Sequence, residues 1–190
     1  MTAKEKEKVW NVPNVLTMIR MLLIPVFWVF MIRGQLYTAL IVFIAASLTD
    51  LADGYIARKY NLITNFGKLM DPLADKLMVI SVMLSLAQRG IVPWAVLAIL
   101  LAKEGLMVLG GAVLYRHQVV VYSIWIGKLA QTVVVISLLS CFFHEWLFAT
   151  LGFPLHLCLL WLGVALTLTA LVMYASRAIP QYKKARQAEK

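Results

Sequence analysis

A chain of 190 residues that is 62% hydrophobic and 14% charged departs from water-soluble domains, which run about 45–50% apolar and about 25% charged. Its net charge of +9 raises nucleic acid as a partner. Most Lys and Arg residues flank apolar runs, however, which is the placement expected of membrane topology and anionic headgroups, so no nucleic-acid role is read from the charge.

In chain order, the charged leader "MTAKEKEKVW" does not read as a cleaved signal peptide. Residues 1–13 read either as an interfacial helix with Trp10 at the headgroup boundary or as a frayed cytoplasmic leader. The apolar runs that follow approach the ~20 residues a helix needs to cross a bilayer. They predict an all-α integral membrane protein with six transmembrane helices, over about 14–33, 38–60, 66–88, 91–115, 124–146 and 153–177. Polar or turn-forming stretches separate them: "RGQ", "KYNLITN", "QRGIVP", "RHQVVVYS" and "TLGFP". A basic tail occupies 178–190, and the whole of 1–190 reads as one membrane domain. Cys141 and Cys158 lie inside apolar segments, which argues against a disulfide framework.

An even number of spans puts both termini on one side. Lys4, Lys6, Lys8, Arg58, Lys59, Lys68, Arg116, Arg177, Lys183, Lys184, Arg186 and Lys190 fall on that side, against Arg33 and Arg89 on the other. Positive charge is retained inside, so both termini are expected to be cytoplasmic.

The stretch "TDLADGYIARKYNLITNFGKLMDPLADK" holds four of the chain's nine acidic residues, Asp50, Asp53, Asp71 and Asp75. Asp50, Asp53, Gly54 and Ala57 share one face of the second helix, and Gly67, Asp71 and Asp75 share one face of the third. The connection between these helices is short enough to make them antiparallel neighbours, so the four acids converge. Clustered carboxylates cannot all stay ionised unpaired; protonation, basic partners or a metal would resolve the conflict. Hard carboxylate oxygens suit Mg²⁺, Mn²⁺ or Ca²⁺, and no His or Cys in the stretch favours zinc. A two-metal site acting on a phosphoryl centre fits this pattern. Gly54 and Gly67 either let a ligand approach the backbone or let helices touch. Arg58 either binds phosphate or snorkels to the interface.

Asp50-x-x-Asp53-Gly54-x-x-Ala57-Arg58, eight residues, Gly67-x-x-x-Asp71-x-x-x-Asp75 resembles the full signature of the CDP-alcohol phosphotransferases. The resemblance extends over the whole chain, and "NVPNVLTMIRMLLIP" and "IGKLAQT" look like the phosphatidylglycerophosphate synthase branch. It implies transfer of the phosphatidyl group of CDP-diacylglycerol to an alcohol with release of CMP. Asp50, Asp53, Asp71 and Asp75 would hold two Mg²⁺ or Mn²⁺ ions, and Asp75 would be the general base. Gly54, Ala57, Arg58 and Gly67 would shape the CDP pocket, and Asn14 and Thr17 are similar to residues at its nucleotide end. A homodimer in the cytoplasmic membrane, with its active site facing the cytoplasm, is also implied.

A glycerol phosphate acceptor brings a dianion and calls for bases. Lys103 lies beside Glu104 deep in an apolar run, and Lys128 enters the fifth span; both are expected to be acceptor-phosphate ligands. Neighbouring positions on a helix point in different directions, which argues against a simple Lys103–Glu104 pair. Where the branch carries Ala-Arg-Glu, this chain has Ala102-Lys103-Glu104. That departure keeps a cardiolipin-forming relative, with phosphatidylglycerol as acceptor, as the alternative. From another class, a divalent-cation transporter also places carboxylates on adjacent helices, but it would carry them along a path through the bilayer.

Overall fold

The structure, a computed structural model, describes residues 11–60, 62, 64–117 and 124–188. The described residues form α1 (Val12–Ile32), α2 (Leu36–Lys59), α3 (Asn65–Gln88), α4 (Trp94–Arg116), α5 (Trp125–Cys141), α6 (His144–Leu151) and α7 (Leu155–Ala188), with no strand among them. They divide into two compact units, Met1–Ser85 and Leu86–Lys190. The expected interfacial helix over 1–13 lies almost wholly outside the described residues.

In the first unit, α1 starts on Asn11, whose side chain accepts the Asn14 N–H at 2.9 Å. Pro13 falls in the first turn, where a missing N–H costs nothing. The helix ends at "RGQ" as expected. Gly34 takes a φ of +77°, its N–H reaches the Met31 carbonyl, and the Gln35 N–H reaches that of Phe30. This is the left-handed glycine stop that satisfies two final carbonyls. Gly90, with a φ of +74°, closes α3 in the same way.

The surface of α1 is inverted relative to a helix in water. Val15, Ile19, Leu22, Val26 and Ile32 are exposed, whereas Asn14, Thr17 and Arg20 are buried. Lipid explains the pattern, because apolar side chains lose nothing by facing it and polar ones do. α2 packs against α1 and buries Ala39, Leu40, Phe43 and Ala46.

α1, α2, α4 and α7 are long and apolar enough to cross a membrane, and α5 with α6 makes a fifth span if the bent pair counts as one. α3, read from sequence as a span, falls outside this set. It is 24 residues long, but Lys68, Asp71, Asp75 and Lys76 crowd its first half. The expected fifth span over 124–146 is also interrupted: α5 stops at Cys141, and α6 leaves it at 88°.

In the second unit α4, α5 and α6 all pack on α7. α5 lies so close to α7 that a Cβ placed on Gly163 would stand 2.9 Å from Val134 Cγ2. The Ile124 N–H donates to Tyr174 Oη at 2.9 Å, fixing the start of α5 on α7. α7 runs on to Ala188, so most of the predicted basic tail continues the last helix.

Candidate active site in the first unit

Three polar side chains of α1 organise the acids. Asn14, Thr17 and Arg20 follow one another at intervals of three, and each such step falls about 60° short of a full helical turn. The polar stripe therefore winds around α1 and meets the α2–α3 connection, α3 and α2 in succession. Asn14 Nδ2 donates to Thr64 Oγ1 at 3.0 Å, and the Gly67 N–H donates to the same oxygen at 3.0 Å. Asn11 Nδ2 holds the same connection through the Leu62 carbonyl at 3.0 Å. One turn on, the Thr17 hydroxyl donates to Asp71 Oδ1 at 2.5 Å. Another turn on, Arg20 Nη2 donates to Asp53 Oδ2, and Nη1 lies 3.1 Å from Asp50 Oδ1.

Burial sets how much this matters. Arg20 is 1% exposed and Asp53 3%, while Asp50 remains 38% exposed. Asp53 of α2 also lies within electrostatic reach of Asp50 and of Asp71 on α3. Asp75, one turn beyond Asp71, is half-buried, as are Gly54 and Ala57. Arg58 belongs to α2, but its side chain lies outside the described residues.

Gly67 has a steric reason to be glycine. A Cβ there would stand 2.8 Å from Asn14 Oδ1, 3.3 Å from Thr64 Oγ1 and 3.4 Å from Asp71 Oδ2. Gly67→Ala is expected to push the Asn14 amide off Thr64 and to lower stability by about 1–3 kcal/mol, the usual cost of overpacking. Thermal unfolding in detergent checks this; an unchanged midpoint would mean that the contact yields freely.

The donors for a divalent ion are of the right kind, since Asp50, Asp53, Asp71 and Asp75 offer hard oxygens. Among the described residues no three His, Cys, Asp or Glu side chains are gathered at ligating distance. Arg20 contributes a cation against Asp50 and Asp53. Its Nε and Nη1 are buried without hydrogen-bond partners, so the guanidinium compensates charge without completing its own hydrogen bonds. The cluster fits a divalent ion by the chemistry of its donors.

Lys103 and Lys128 lie in the second unit. Both line a cavity of about 370 Å³ with Gln131, Thr167 and Tyr174. The expectation against a Lys103–Glu104 pair is wrong: Lys103 Nζ meets Glu104 Oε1 at 2.5 Å. Divergent Cβ directions do not stop two long, flexible side chains from curling together.

Sequence reasoning passed over Arg20 as a site residue. The signal was present, because an Arg inside "LTMIRMLLIP" is expensive in lipid unless it has a partner. The repeat Asn11, Asn14, Thr17, Arg20 marks the same stripe. Thr64 carried no comparable signal.

The sequence pattern of CDP-alcohol phosphatidyltransferases matches residues 10–171. The chain is 33% identical over 183 residues to the CDP-diacylglycerol–glycerol-3-phosphate 3-phosphatidyltransferase of Bacillus subtilis (strain 168), covering 88% of this chain and 95% of that protein. It is 32% identical over 193 residues to the probable phosphatidylglycerophosphate synthase of Mycobacterium tuberculosis (strain CDC 1551 / Oshkosh), covering 96% of this chain and 88% of the other. Over 100 residues it is 46% identical to the CDP-diacylglycerol–glycerol-3-phosphate 3-phosphatidyltransferase of Rickettsia typhi, covering 51% of this chain and 56% of that protein. With the signature acids gathered on α2 and α3 and the match running from the end of the leader into α7, the chain belongs to the CDP-alcohol phosphatidyltransferase family.

Proposed function

We propose that the protein transfers the phosphatidyl group of CDP-diacylglycerol to sn-glycerol 3-phosphate, releasing CMP and forming phosphatidylglycerol phosphate. The observation that carries this reading is that Thr17 and Arg20 of α1 reach three of the four signature acids, Asp71, Asp53 and Asp50, in a chain whose full-length relatives bear that activity in their names. Family membership disfavours the transporter alternative.

In this reading Asp50, Asp53, Asp71 and Asp75 hold two Mg²⁺ or Mn²⁺ ions. Bound there, the ions would neutralise charge building on the diphosphate as CMP leaves. Arg58 meets the diphosphate, and Gly54, Ala57 and Gly67 leave room for the nucleotide beside Asn14 and Thr17. Asp75 takes the proton of the acceptor hydroxyl, which makes that oxygen the nucleophile. Lys103 and Lys128 hold the acceptor phosphate; their shared cavity and the hydroxyls of Thr167 and Tyr174 that line it support the assignment. The same proposal takes the chain as a homodimer of six-span protomers in the cytoplasmic membrane, with both termini and the acids on the cytoplasmic side.

The test is CMP release by purified protein given CDP-diacylglycerol, Mg²⁺ and a panel of acceptors. Release with glycerol 3-phosphate is expected. Lys128→Ala should raise the KM for that acceptor by about 10–100-fold, the size of one hydrogen bond to a charged group, with little change for CDP-diacylglycerol. Release with phosphatidylglycerol alone would move the protein to the cardiolipin-forming alternative. No release with any acceptor would overturn the reading.

A further inference from the structure

Arg20 has no task in the chemistry just proposed, yet among the described residues of the site it is the most deeply buried charge. Its guanidinium lies against two carboxylates assigned to metal and is 1% exposed. Nη1 is 3.1 Å from Asp50 Oδ1 but outside hydrogen-bonding geometry, and Nε has no partner. A guanidinium held for its hydrogen bonds makes a planar, two-pronged contact with one carboxylate. Arg20 instead spans two acids and leaves two nitrogens unsatisfied, so charge holds it there more than geometry does.

Asp50 and Asp71 both lie within electrostatic reach of Asp53. Without a divalent ion, some other cation has to keep such a cluster from repelling itself apart. Arginine suits the task because it stays protonated when buried, whereas lysine readily gives up its proton. A divalent ion on the same carboxylates would meet the guanidinium as a like charge at a few ångströms, and that repulsion opposes holding both at once.

We propose that Arg20 is a resident counter-cation: it holds Asp50 and Asp53 in place when no divalent ion is bound, and yields their oxygens when one loads. The inference rests on the metal reading above. Its consequence is that Arg20 weakens affinity for the free ion, because each binding event must displace it.

The experiment titrates Mn²⁺ alone into the whole protein in detergent and follows the paramagnetic resonance signal of free Mn²⁺. Arg20→Gln is expected to lower the half-saturating Mn²⁺ concentration about 5–150-fold, the usual range for two coupled binding events. Arg20→Lys should give a smaller shift in the same direction. Asp53→Asn should weaken uptake, placing the ion among these acids. Equal or weaker Mn²⁺ binding in Arg20→Gln, with wild-type binding intact, overturns the inference. If that variant does not fold, the same outcome in Arg20→Lys overturns it. Uptake untouched by Asp53→Asn also overturns it, since the ion then sits elsewhere. No Mn²⁺ uptake by wild type or by either Arg20 variant overturns the metal reading itself, which separates the two failures.

Discussion

Asp75→Asn is expected to lower kcat about 10²–10⁴-fold, the range that a positioned general base contributes, while the KM for CDP-diacylglycerol changes only a few-fold. The change is nearly isosteric and the side chain is half-buried, so folding should survive it. An amide cannot take the proton of the acceptor hydroxyl, and an unassisted neutral hydroxyl is a poor nucleophile at neutral pH. Asp75 is also assigned to the second ion, so two causes of inactivity need separating. Kinetics at saturating Mn²⁺ does this. A loss that persists there supports the base, whereas a loss that excess Mn²⁺ restores would reduce Asp75 to a metal ligand. Full activity without added metal would remove it from the chemistry.

The acids were legible for a physical reason. Aspartate in an apolar helix is costly enough that its presence asks for a partner, and helical spacing alone puts Asp50 with Asp53 and Asp71 with Asp75 on common faces. Arg20 obeys the same logic and was legible by it, but its partners belong to another helix that no spacing rule connects to α1. α3 has the length of a span, while its charged first half takes it outside the apolar set. The break between α5 and α6 was hidden: "SCFFHEW" contains neither Gly nor Pro, so an 88° bend leaves no mark in the composition. Gly34 and Gly90 announced their turns because only a residue without a Cβ takes a positive φ at no cost.

Removing one member of the buried ion pair should reveal how far the fold depends on it. Asp53→Ala is expected to cost about 3 kcal/mol, the low end for breaking a buried pair, because it strands a charge that water cannot reach. The midpoint of thermal unfolding in detergent should then fall by on the order of 10 °C for a chain of this size. The low end applies because Asp50 still faces the guanidinium at 3.1 Å, although its own exposure weakens that attraction. Removing both charges is the sharper comparison. In the double variant Arg20→Met, Asp53→Leu no charge is stranded at that position, and apolar replacement of buried pairs is often neutral or stabilising. Most of the lost midpoint should therefore return while Mn²⁺ uptake stays impaired. That outcome would show that the pair is not retained for stability. A double variant as unstable as Asp53→Ala would instead assign the pair a structural role, with Arg20 acting as the clamp between α1 and α2.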